Sequence, residues 1–284
     1  MTFRVLLAAG LLTAFFSGCN KDNTPKTVLC KVVTLTDQLD VNGRLTDQMQ
    51  RTFSYSENQL TQLSERNTDR QVNLTIDYSP ISGVTKASDG AFVLTFGNVA
   101  ATTQPVSATA TRNGAVQAIY EMTYNPANKL TRVLETRQVI PANSFVRSRD
   151  YSFLYDSEGL LKTEKLTSTL TDRTTVEQET DFTYGTLVNP MTNFSQPGLL
   201  TVVALSQLVE TIPSRFWQQR VVQDYKIYNA KNGTRSTLRE SATFTPKTDG
   251  NGRLSGQEQN TISTSGSGQT SQRKNQHSVV YECK

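Results

Sequence analysis

The feature that most limits what this chain can fold into is a series of segments with a period of two, cut apart by turn dipeptides. Val72, Leu74, Ile76 and Tyr78 alternate with polar residues. So do Val116, Ala118, Tyr120, Met122 and Tyr124, and later Val176, Gln178, Thr180, Phe182 and Tyr184. Successive side chains of a strand point to opposite faces, so this pattern predicts strands with one dry and one wet face. Between them stand Asn42-Gly43, Asp89-Gly90, Asn113-Gly114, Asn232-Gly233, Asp249-Gly250 and Asn251-Gly252. Each supplies the positive φ that a tight hairpin requires. Strands joined by such turns make an antiparallel meander.

Composition sharpens this. The chain has 284 residues, of which 36% are apolar, and a mean hydropathy of −0.44, so much of the strand surface must lie in water. One all-β domain over residues 28–284 is expected, with about 14 strands, as a barrel or a strongly curled sheet. One stretch breaks the alternation. Leu199, Leu200, Val202, Val203, Leu205, Leu208, Val209 and Ile212 spread around a helical wheel behind Pro197-Gly198. A short buried helix or irregular insertion near 195–212 is predicted there, with a buried strand as the alternative. The net charge of +4 is made of interspersed basic and acidic residues. A nucleic-acid binder would gather its basic residues on one face, so no nucleic-acid partner is expected.

The N-terminus reads as an address. Arg4 precedes an apolar run from Val5 to Phe16, long enough for a signal peptide and too short to span a bilayer. The run ends in Phe16-Ser17-Gly18-Cys19, which resembles the bacterial lipobox, although Phe16 stands where Leu is usual. Residues 1–18 are therefore expected to be removed, Cys19 to carry lipid, and residues 19–27 to form a solvated tether. The membrane is then a partner through this anchor, and the expected location is the cell envelope, on an outer-membrane lipoprotein facing the periplasm or the cell surface. With Cys19 acylated, Cys30 and Cys283 remain. They have one intramolecular pairing open to them, against two separately buried thiols. In a closed barrel the first and last strands are neighbours, and a Cys30–Cys283 bridge becomes feasible.

A loose repeat overlies the strands. Tyr55-Ser56-Glu57-Asn58-Gln59-Leu60, Tyr124 to Leu130 and Tyr155 to Leu160 each run from an aromatic through a polar turn to a leucine, and Phe244 to Leu254 is a longer version. These segments have a distant likeness to the tyrosine-aspartate repeats of Rhs-type proteins. They more closely resemble a family of β-rich Bacteroidota lipoproteins of unknown function with a porin-like domain. The lipobox, the interior Asn189-Pro190 step and the tail Tyr281-Glu282-Cys283 add to that likeness, which covers most of Cys30 to Lys284. It implies a porin-like barrel and brings no catalytic residues.

Candidate chemistry is sparse. The one histidine, His277, lies in a polar stretch and reads as a surface residue. A zinc site would need more His and Cys than the chain has, and no G-x-S-x-G elbow, P-loop or G-x-G-x-x-G occurs. Glu177, Glu179 and Asp181 share one strand face. They read as a solvated row paired with Lys162 or Lys165, rather than a calcium site or a hydrolase pair. Trp217 reads as core or girdle, with sugar stacking as the functional alternative. A non-catalytic envelope lipoprotein is thus expected, binding or structural in role, without cofactor or metal, and with an envelope protein or glycan as partner. Two rivals stand beside it. A carrier would hold an apolar ligand in a dry barrel cavity lined by Tyr55, Tyr124, Tyr155 and Phe182, with Trp217 as a further binding candidate. A carboxylate hydrolase would place two acids across a cleft.

Overall fold

The computed structural model describes residues 30–283 apart from residue 82 and the stretches 99–102, 140–143, 171, 194–195 and 209–211. The signal peptide, Cys19 and the tether of residues 19–27 lie outside the described residues. The alternating segments form strands β1 (Cys30–Val41), β2 (Arg44–Ser56), β3 (Gln59–Asn67), β4 (Gln71–Ser79), β5 (Gly83–Asp89) and β6 (Phe92–Asn98). They continue as β7 (Pro105–Arg112), β8 (Ala115–Tyr124), β9 (Leu130–Val139), β10 (Ser144–Tyr155), β11 (Leu161–Thr169) and β12 (Thr175–Val188). A helical insertion follows, and then β13 (Arg220–Lys231), β14 (Thr234–Thr248), β15 (Leu254–Thr264) and β16 (Thr270–Cys283). Each strand pairs antiparallel with its neighbour in sequence, and β1 pairs with β16, so the sheet closes into a barrel. The strand number is 16 rather than about 14, because short strands such as β5 and β6 are also separate rungs of the sheet.

The turn chemistry explains the meander. Asn113 (φ 50°) and Gly114 (φ 78°) both take the left-handed conformation at the β7–β8 tip, the pair of positive φ values that suits the twist of a two-residue hairpin. Closure brings Cys30 opposite Cys283 in the β1–β16 ladder, and the two form a disulfide. Both ends of the domain therefore meet at one end of the barrel, the terminal end. At the other, the hairpin end, Arg44–Gln48 of β2 and Thr234–Arg239 of β14 are exposed at every position, so these hairpins rise into water beyond the body.

Inside and outside are sharply sorted. In β4 the inward Val72, Leu74 and Ile76 are buried, while Gln71, Asn73, Thr75 and Asp77 are exposed. In β8, Ala118, Tyr120 and Met122 are buried, and Glu121 and Thr123 face out. Exposed large apolar residues such as Ile119, Leu154, Leu238, Ile262 and Val280 are scattered singly. A membrane-spanning barrel carries the reverse surface, an outward apolar band flanked by aromatic girdles.

A barrel of 16 strands would leave an open lumen. Here the insertion between β12 and β13 fills part of it. The insertion contains helix α1 (Pro197–Ser206), flanked by single 3-10 turns at Pro190–Asn193 and Pro213–Phe216. Every residue from Gly198 to Leu205 is buried, as befits a helix apolar on all sides. The helix packs against β7 and β9. Gly198 permits the fit: a Cβ there would stand 2.8 Å from Met122 Sδ and closer still to the Tyr124 hydroxyl.

Candidate functional site

The aromatic-turn-leucine repeat has a concrete meaning in the barrel. Tyr55 donates its hydroxyl to the Val32 carbonyl (2.9 Å), Tyr78 to Leu60 (2.9 Å) and Tyr124 to Pro105 (2.9 Å). Tyr155 donates to Leu130 (2.6 Å), Tyr184 to Leu161 (2.5 Å) and Tyr281 to Leu254 (2.7 Å). Each tyrosine lies near the end of one strand and bonds the start of the strand before it, so these bonds form a ring at the terminal end of the barrel. In β6 Asn98 stands at the tyrosine's place, and its Nδ2 reaches the Val84 carbonyl (2.8 Å). Burial pushes Tyr78 and Tyr281 up to about 12, and the other four tyrosines higher. The hydroxyls thus stay protonated donors committed to the backbone.

The plug is held by specific side chains. Trp217 packs edge-on against Phe153, with ring centroids 5.1 Å apart, and donates Nε1–H to Thr201 Oγ1 on α1 (3.0 Å). Arg149 donates to the Leu205 carbonyl at the end of α1 (2.8 Å) and grips Glu135. Burial opposes the Glu135 carboxylate, but Arg149, Arg137 and Ser148 outweigh it and hold its pKa down at about 2. Arg51 pairs with Glu65 (2.7 Å), both nearly inaccessible, and lies over the Phe216 ring.

On the side of the lumen formed by β12–β16, β1 and β2, the interior is open. A cavity of about 690 Å³ lies there, within the range of small-molecule sites. Leu35, Leu39, Met49, Phe182, Val222 and Phe244 give it apolar walls, and Ile212, Arg215 and Phe216 of the plug form its floor. Gln48, Thr68, Asp69 and Arg273, four exposed residues of the lining, lie together at the hairpin end and mark a mouth there.

Its polar wall is one connected network. Arg215 donates to both oxygens of Asp37 (3.2 and 3.4 Å). The same carboxylate meets His277 Nδ1 at short range, and His277 Nε2 meets Gln259 Oε1 at 2.7 Å. Gln259 Nε2 donates to Thr261 Oγ1 (2.9 Å) and toward the Tyr225 hydroxyl (3.4 Å). Tyr225 donates to Glu240 Oε1 (2.6 Å), whose second oxygen accepts from Ser263 (3.0 Å). Burial works against the Asp37 carboxylate, yet Arg215 and His277, with Arg51 beyond, hold its pKa well below the usual carboxylate range. The Asp37–His277 pair resembles half of a nucleophile-activating triad. The far ring nitrogen, where a nucleophile would have to sit, faces Gln259.

The reading of His277 as a surface residue is corrected: its side chain is only 7% exposed and lies inside the barrel. From Thr270 to Ser278 both faces of β16 are polar, so alternation does not mark which side turns inward. Of the candidate ligand-binding residues, Phe182 lines the cavity. Tyr55, Tyr124 and Tyr155 are not brought to it but belong to the terminal ring, and Trp217 latches the plug. The dry cavity these tyrosines were expected to line is not formed, because their hydroxyls are committed to backbone carbonyls at the terminal end. Glu177, Glu179 and Asp181 face outward. Lys165 and Arg235 pair with Glu179 (2.7 Å each), Arg235 forks onto Asp181, and Glu177 accepts from the Gly233 amide. Arg215 and Gln259 carried no motif that could have singled them out.

No protein-family model and no curated protein matches the chain. Solved structures share its fold, among them two from Bacteroides. A porin-like protein from Bacteroides uniformis ATCC 8492 is 13% identical with a TM-score of 0.57, covering 88% of this chain and 95% of that one. A porin-like protein from Bacteroides vulgatus ATCC 8482 is 10% identical with a TM-score of 0.51, covering 89% of this chain and 99% of that one. At such identities the likeness is one of architecture, and the architecture is that of a porin-like β-barrel.

Proposed function

We propose that this protein is a non-catalytic component of the bacterial cell envelope, tied to the outer membrane by lipid on Cys19, whose barrel stands in water as a binding module. The observation that carries the reading is the pairing of a polar outer wall with a plugged lumen. The first disfavours embedding in lipid, and the second leaves a receptacle in place of a channel. The lipobox-like Ser17-Gly18-Cys19 supplies the anchor that a water-immersed barrel needs to stay at a membrane. Because β1 starts at the terminal end, the tether holds that end toward the bilayer and turns the cavity mouth away from it.

The test is Cys19→Ala in cells fed labelled fatty acid. The variant should take up no label and should leave the membrane fraction without detergent. A variant that stays in the membrane through carbonate washing would overturn the reading in favour of an integral barrel.

A further inference from the structure

We infer that the open side of the lumen is a binding site for a small amphipathic acid: an apolar body with a carboxylate or phosphate at one end and at least one hydroxyl or N–H donor along it. The inference rests on the reading of the barrel as a binding module and names its ligand class.

Three observations converge on the cavity. Leu35, Leu39, Phe182 and Phe244 offer apolar wall that only an apolar body covers. Arg273, at the mouth on β16, lines the cavity, and its guanidinium has neither an ion-pair partner nor a hydrogen bond among the described residues. Of the acids in the lining, Asp69 at the mouth makes no ion pair with Arg273 among the described residues, and the other two are already engaged. Asp37 holds Arg215 and His277, and both oxygens of Glu240 accept hydroxyls. Arg273 is thus the cation free to take an anionic head group, and a guanidinium fork suits a carboxylate or phosphate. The third observation lies deeper. Asn275 is 9% exposed, and its Oδ1, like Oε1 of Gln257, is a buried acceptor with no donor, although both residues line the cavity. A buried acceptor without a partner costs on the order of 1–3 kcal/mol, which a ligand hydroxyl or N–H would recover. The order along β16 sets the pose: the head group at Arg273 by the mouth, the donors one step in at Asn275, and the body against Phe182 and Phe244 farther down.

The experiment uses the full-length chain carrying Cys19→Ala, recovered from the soluble fraction, and 11-(dansylamino)undecanoic acid, whose fluorescence rises in apolar surroundings. Saturable binding of the acid is expected. Arg273→Gln, a change at an exposed position, should weaken the acid at least tenfold while leaving the uncharged methyl ester within twofold. Displacement of the probe by lauric acid or by lauryl phosphate supports the site and assigns its head group. Absence of saturable binding, or equal affinity of wild-type and Arg273→Gln barrels for the acid, overturns the inference. If Cys19→Ala remains in the membrane, the anchoring proposal falls before any probe is added. A released barrel that ignores the acid removes this site alone.

Discussion

The two sides of the lumen are built from the same hairpin repeat and end in different interiors. On the β3–β11 side the mid-strand inward positions are Leu63, Leu74, Leu94, Ala110, Ala118 and Val133, all buried in the core that also takes in α1. On the β12–β1 side the corresponding level carries Glu240, Gln259, Asn275, His277 and Asp37. The tyrosine ring at the terminal end runs through both. The closure of the barrel therefore depends on the strand ends, which leaves the middle of the lumen free to be filled on one side and polar on the other. Such a division suits a scaffold whose stability is concentrated away from its receptacle.

The contrast breaks most visibly with one type of substitution made on each side. Leu74 is 1% exposed in the packed half, and Leu74→Ala should cost about 2–5 kcal/mol by lost transfer and cavity formation. Leu39 already faces the cavity, so Leu39→Ala should cost less than about 1 kcal/mol. Urea unfolding monitored by tryptophan fluorescence gives both values. Equal losses would mean that the open side is packed after all.

How much of this could be read beforehand depends on which interactions are local. The hairpins follow from Asn42-Gly43, Asn113-Gly114 and Asn232-Gly233, where both residues of each pair have positive φ. The inside of β4 follows from Val72, Leu74 and Ile76, and the plug from the loss of alternation after Pro197. The tyrosine repeat was visible, but its reason was not, since a hydroxyl bonding a carbonyl 18 to 27 residues back leaves no trace in spacing alone. The polar site was hidden for a stronger reason. Asp37, Arg215, Gln259 and His277 come from β1, the plug, β15 and β16, with Arg215 178 positions and His277 240 positions beyond Asp37. In a strand such as β16, polar on both faces, the period-two signal that separates inside from outside vanishes. Only closure decides which face is the lumen.

Acid separates the two sides by degree. Glu135 in the packed half and Asp37 in the open half both have folded pKa values below their unfolded ones. The stability each supplies is therefore complete above about pH 4–5 and is lost as the pH falls. For Glu135 the loss ends near its folded value of about 2, whereas for Asp37, held lower, it continues beyond. Thermal melts between pH 5 and 1.5 should show Glu135→Gln flattening the upper part of the acid limb and Asp37→Asn flattening it down to the lowest pH. Superimposable curves for wild type and Glu135→Gln would refute the clamp that Arg149 makes between barrel wall and plug.

The smallest effect is expected at Glu179, whose own carboxylate is only 7% exposed but whose cationic partners both reach water. Glu179 on the outer face resembles Glu135 in its contacts, for each accepts from two basic side chains. The difference lies in the partners. Lys165 and Arg235 are 41% and 40% exposed, so removing the acids leaves them solvated cations. Of the two partners of Glu135, Arg137 is 46% exposed, but Arg149 is 27% exposed and also carries the Leu205 carbonyl of the plug, so removing Glu135 leaves one cation partly cut off from water. Exposed pairs contribute about 0–1 kcal/mol, whereas breaking a buried pair costs several times that. Replacing Glu177, Glu179 and Asp181 together by Gln, Gln and Asn should therefore shift the unfolding free energy by about 1 kcal/mol or less. It should also leave the melting temperature indifferent to added calcium, as in wild type. A loss as large as that of Glu135→Gln would show the outer wall at β12 to be dry, and with it the assignment of inside and outside on that side of the barrel would fail.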